Sequence, residues 1–76
     1  MITCFILLNV EAGKEMDVYN ALMKCSEVEG IREVFGQYDL IARVESRNLN
    51  ELRKIIINKV RSIPGVLATT TLVTTE

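Results

Sequence analysis

The apolar residues of this chain change rhythm from segment to segment, and each rhythm predicts an element. Ile2 to Val10 is nearly continuous in apolar side chains, rich in Ile, Leu and Phe with Thr3 near its start and Asn9 near its end, and predicts a strand covered on both faces. Glu11-Ala12-Gly13-Lys14 then leads into a helix, because Val18, Ala21, Leu22 and Cys25 recur at helical spacing. Glu15, Asp17, Asn20 and Lys24 fall largely off that stripe. The helix is expected to stop near Glu29-Gly30, where glycine suits a left-handed cap.

Ile31 to Phe35 alternates apolar and charged residues, and Leu40, Ala42 and Val44 alternate with Ile41, Arg43 and Glu45. These segments predict two strands joined by a turn. Asn48 with Glu51 three positions later fits a capping box ahead of a second helix. That helix carries its stripe at Leu49, Leu52, Ile56, Val60 and Ile63, widened by Ile55, and ends at Pro64-Gly65. Val66 to Val73 is dense in threonine, whose branched β-carbon suits a pleated strand.

The order is β-α-β-β-α-β, and the halves echo each other: Val28-Glu29-Gly30-Ile31 and Ile63-Pro64-Gly65-Val66 occupy matching helix-to-strand junctions. Right-handed crossovers then lead to an α+β, ferredoxin-like fold, an antiparallel four-stranded sheet with both helices on one face. Its other face receives aliphatic and threonine side chains from strands 1, 3 and 4, which makes it the natural dimer surface.

Composition narrows the function. The 76 residues allow one domain, 1–76, yet 49% of them are hydrophobic. So small a chain hides only about 60% of its unfolded surface alone, and the surplus points to a homo-oligomer. Nine basic and ten acidic residues give a net charge of −1, without the basic footprint of a nucleic-acid binder. There is no histidine, so the commonest general base and metal ligand is missing. Cys4 and Cys25 form neither a disulfide framework nor a zinc pattern, and read as small core residues in a reducing compartment. The N-terminus lacks the basic segment of a signal peptide, and no apolar run is long enough to cross a bilayer. A cytoplasmic protein is expected, with neither cofactor nor metal.

The fold alone does not name a function. An RNA reader needs aromatics on central strands beside a basic patch; Phe5 and Tyr38 have no such patch. A metal carrier needs paired cysteines after the first strand, and an acyl-phosphate hydrolase an arginine there; Val10-Glu11-Ala12-Gly13 offers neither. Without histidine and with few aromatics, the chain is not expected to be an enzyme.

The segment Val34-Phe35-Gly36-Gln37-Tyr38-Asp39-Leu40, the junction Ile63-Pro64-Gly65-Val66 and the Thr69-x-Thr71 strand together resemble the effector (RAM) domain of the Lrp/AsnC transcription regulators. The resemblance covers essentially the whole chain. It implies dimers of the α+β barrel type, joined through their sheets and assembled further, with small effectors, chiefly amino acids, held between dimers. The family's regulators carry an N-terminal helix-turn-helix, whereas this sequence starts at its first strand. The expectation is therefore a stand-alone effector module that reaches DNA only through a partner such as a full-length regulator.

Carried over by the resemblance, the ligand-contacting candidates are Gly36, Gln37, Tyr38 and Asp39 in the turn, with Thr69 and Thr71 beyond it. The chemistry is coherent: a glycine exposes its backbone N–H to a carboxylate, and an aspartate accepts from an ammonium. The plain alternative is that Gly36 only closes a turn, Asp39 only bonds to backbone, Tyr38 packs at an oligomer contact and the threonines serve sheet propensity. Arg32 and Arg43 could meet a carboxylate, or pair with Glu33 or Glu45. Two functions follow: an oligomeric amino-acid effector module in transcription or metabolic regulation, or an assembly module that binds no ligand.

Overall fold

The computed structural model describes residues 1–74; the last two positions of the expected 1–76 domain lie outside the described residues. Its elements are β1 (Ile2–Val10), α1 (Glu15–Met23), β2 (Val28–Glu33), β3 (Leu40–Ser46), α2 (Leu49–Ile55, continued by a wider turn at Ile56–Val60) and β4 (Val66–Val73). The sheet runs in the order β2-β3-β1-β4, and each neighbouring pair is antiparallel. This is the ferredoxin-like arrangement expected.

The alternation along β1 sorts the sheet into two faces. Cys4, Ile6, Leu8 and Val10 are buried, together with Leu40, Ala42 and Val44 of β3. They meet Val18 and Leu22 of α1, Leu52, Ile55 and Val60 of α2 and its extension, and Ile63 just beyond it in one core. The intervening residues of β1, Phe5 and Leu7 among them, turn to the opposite, open face and are half-buried.

The second helix begins as its sequence dictates, with the Asn48 side chain accepting from the Glu51 N–H at 2.9 Å. Its end differs from a regular helix: the Arg61 N–H donates to the Ile56 carbonyl at 2.8 Å, an i→i+5 bond. The wider turn has a packing consequence. Ile55 and Val60 are five positions apart, which in a regular helix puts them roughly 140° apart around the axis. Here both reach the core.

Several expectations need correction. The first helix ends at Met23 rather than near Gly30, and β2 starts at Val28 rather than Ile31. Gly30 is no left-handed cap; it lies inside β2, at a shift in pairing between Val28 and Gly30 that leaves Glu29 unpaired with β3. Phe35 lies past the end of β2 and is fully exposed. Leu49, assigned to the apolar stripe, is exposed as well: it is the first residue after the cap, still outside the face that α2 lays on the sheet.

Candidate functional site

Residues 34–39 connect β2 to β3 at the end of the sheet where β1 finishes. The Val34 N–H donates to the Asp39 carbonyl at 3.0 Å and closes the turn, while the Asp39 N–H donates to the Leu8 carbonyl at 2.9 Å. Gly36 has φ +110°, a conformation that side chains oppose, and a β-carbon built on it would meet nothing within 4 Å. The glycine backbone is thus both strained for other residues and open to approach. Gln37 beside it is exposed.

Asp39 has a fixed orientation. Its Oδ2 accepts from the Val10 N–H at 2.8 Å. The donor is free because the β1–β3 pairing ends at Leu8 opposite Leu40, so the last N–H of β1, which faces that side, is met by a carboxylate. Among the described residues Oδ1 has no hydrogen-bond partner, so one carboxylate oxygen remains for another donor. Tyr38 takes a different path. Its hydroxyl shares a 3.1 Å hydrogen bond with Oγ1 of Thr70. Since β1 lies between β3 and β4, that bond spans the first strand.

The threonines separate. Thr69 pairs with Leu8 and Thr71 with Ile6, so both share the helix-side face, half-buried on an edge strand. Thr70 pairs with Leu7 and shares the open face with Leu72 and Tyr38's hydroxyl. The structure therefore joins Tyr38 to Thr70, which sequence reasoning passed over, and not to Thr69 or Thr71. Thr69 instead lines a shallow hollow of about 500 Å³ with Arg61, Val66, Leu67 and Ala68. The signal that selects Thr70 is the extra residue Leu67: the chain passes from Val66 opposite Val10 to Ala68 opposite Asn9, which reverses the faces of every later residue of β4.

Arg32 and Arg43 are exposed, and neither takes part in an ion pair with Glu33, Glu45 or another described acid; the one such pair is Lys59 with Glu27 at 2.7 Å. That contact holds the Glu27 carboxyl below its usual range and raises Lys59, in each case chiefly through the hydrogen bond between them. Burial pushes the Cys4 thiol up. Among the described residues no cluster of His, Cys, Asp or Glu is suited to hold a metal, and no helix is long and apolar enough to cross a membrane.

Comparison with known proteins agrees with this architecture. Residues 3–76 match the family model of the Lrp/AsnC ligand binding domain. The HTH-type transcriptional regulator FL11 of Pyrococcus abyssi is 36% identical over 69 residues, an alignment covering 91% of this chain and 45% of the regulator. The chain thus spans about half the length of the curated relatives it matches. Among solved structures, FFRP-DM1 superposes with a TM-score of 0.93 at 39% identity, covering 97% of this chain and 99% of that one. The hypothetical protein PHS023 of Pyrococcus horikoshii gives 0.93 at 38% identity, covering 100% and 92%. The chain belongs to the Lrp/AsnC ligand-binding domain family of transcription regulators.

Proposed function

We propose that this protein is an oligomeric, cytoplasmic effector-binding module that holds an amino acid at the Gly36–Asp39 turn. It performs no catalysis and does not contact DNA itself; its output passes through assembly with copies of itself or with a full-length Lrp/AsnC regulator. The observation that carries the reading is the state of Asp39. One oxygen is anchored on Val10, which fixes the carboxylate in place, and the other has no described partner. A fixed acceptor beside the open backbone of Gly36 supplies what an α-amino acid needs, an acceptor for its ammonium and an N–H for its carboxylate.

Gln37 and Tyr38 flank that pair, and Thr69 and Thr71 come within reach of it on the helix side of β4 only through a neighbouring copy. Assembly uses the open face, where Phe5 and Leu7 of β1 adjoin Thr70 and Leu72 of β4. Leu72 is 53% exposed, more than half of a large apolar side chain left in water. A site completed by a second copy couples ligand to assembly, because each stabilises the other.

One observation favours the second reading, an assembly module without a ligand. Two of the turn's three polar side chains already have partners within the chain, Asp39 on Val10 and Tyr38 on Thr70. A thermal-shift screen against the twenty amino acids separates the two. A ligand at a hundred times its dissociation constant adds about 2.7 kcal/mol. A selective rise, abolished in Asp39→Asn, supports the effector module. No rise with any amino acid, in a protein that unfolds within the accessible range, supports the scaffold.

A further inference from the structure

Tyr38 belongs to the turn, yet its hydroxyl is held on a strand two places away. β1 lies between β3 and β4, so the sheet sets their backbones about 10 Å apart, two strand spacings. The phenol closes that distance with its 3.1 Å hydrogen bond to Oγ1 of Thr70. Thr70 pairs with Leu7, and Leu72 two positions on pairs with Phe5. The hydroxyl pair therefore sits among the side chains through which subunits meet. Asp39, next in the chain, is tied instead to Val10 at the end of β1.

That placement has an energetic consequence. Thr70 is exposed in the single chain, so water serves either hydroxyl when the two part. Contact between sheets takes the water away. Two hydroxyls buried apart would each lose a partner, whereas bonded to each other both are satisfied. Association thus discriminates between two states of the turn, one with Tyr38 seated on Thr70 and one with it released.

We infer that the Tyr38–Thr70 bond links the effector turn to the contact between subunits. Tyr38 acts as a positioning residue. A ligand on Gly36 and Asp39 fixes the turn, the fixed turn keeps Tyr38 on Thr70, and the seated pair lets the sheets close without stranding a hydroxyl. The ligand step rests on the effector reading; the step from turn to contact stands without it. Linkage makes the link reciprocal, so loosening Thr70 loosens the turn.

The test is a cycle of Tyr38→Phe, Thr70→Val and the double variant, read in two ways. The first needs no ligand: hydrogen exchange of the Val34 and Asp39 amides, both bonded in the turn, in the assembled protein. Thr70→Val, on the far strand, should speed both roughly two- to tenfold, the scale of one neutral hydrogen bond, and leave the amide of buried Ile6 unchanged. The second is sedimentation, with and without the amino acid that gives the largest thermal shift. Each single variant strands one hydroxyl and should weaken association, and the double variant should return towards wild type. The amino acid should tighten association of wild type; Thr70→Val should bind it but lose most of that tightening. Unchanged exchange at Val34 and Asp39 in Thr70→Val, or additive losses around the cycle, would overturn the link. Full tightening in Thr70→Val would overturn its part in the response and leave the effector reading standing. No shift of wild type with any amino acid would overturn that reading and the ligand step together, and the exchange result would still decide the link between turn and contact.

Discussion

The Asp39 carboxylate accepts a hydrogen bond at 2.8 Å from the backbone N–H of Val10, twenty-nine positions earlier in the chain. The turn that carries the candidate site is thereby tied to the end of a core strand. Replacing Asp39 by Ala leaves a part-buried N–H without its acceptor, at a cost of about 1–3 kcal/mol. Asp39→Asn keeps an acceptor oxygen and should cost clearly less. Urea unfolding of both variants checks this, and equal losses would mean that the bond to Val10 contributes little.

Glycine matters most where the chain closes on itself. Gly65 has φ +101°, and a β-carbon there would sit 2.9 Å from Cβ of Lys14 and 3.2 Å from Cγ2 of Val18. Gly13 has φ +88° and open space around it. Gly13→Ala should show only the left-handed backbone penalty, about 1–2 kcal/mol. Gly65→Ala should lose more, because Lys14 is held at the start of α1 by its carbonyl's bond to Val18. A comparison of denaturation midpoints decides it, and equal effects would remove the role given to the close approach.

The pair Lys59–Glu27 makes stability sensitive to acid. The folded-state pKa of Glu27 lies below its usual value, chiefly because Lys59 hydrogen-bonds it. Its contribution is therefore present above the unfolded carboxyl pKa, about 4.3, and is lost as pH falls through the lower folded value. Lys59→Met should flatten that acid limb of Tm against pH and leave the shape near neutrality unchanged. Calorimetry from pH 7 to pH 3 is the measurement; a wild-type acid limb in the variant would sink the assignment.

The two thiols should differ. Cys4 is fully buried in the core, and burial raises its pKa, whereas Cys25 is half-buried after α1, its Sγ 3.7 Å from the Ala21 carbonyl. An exposed thiolate is what reacts. Native protein should therefore give up Cys25 to a disulfide reagent well before Cys4, and denatured protein should lose the distinction. Mass spectrometry of modified peptides reads the order directly.

Much of the fold was legible because its signals are local. The strand Val66–Val73 and the Asn48 cap stand where their residues place them. Of the stripe Leu49, Leu52, Ile56, Val60 and Ile63, widened by Ile55, the structure buries Leu52, Ile55, Val60 and Ile63 but leaves Leu49 exposed and Ile56 half-buried. Gly30 misled because a glycine after a helical stripe looks like a cap, while the same residue can interrupt strand pairing. The site was harder to read. Thr69, Thr70 and Thr71 are indistinguishable in sequence, and only the extra residue Leu67 opposite the end of β1 decides which one turns to the open face. The hold of Val10 on Asp39 has no sequence signal, since a backbone N–H becomes available only once the strands are paired.

The central claim, that an amino acid at the turn is coupled to assembly, is tested most directly by sedimentation. The protein would be diluted through its dissociation range with and without the amino acid that gives the largest thermal shift. Linkage requires the ligand to tighten subunit association for wild type, and Asp39→Asn should abolish that tightening while still assembling without ligand. A ligand that binds dissociated chains as tightly as assembled ones, leaving the dissociation midpoint unmoved, would contradict the account.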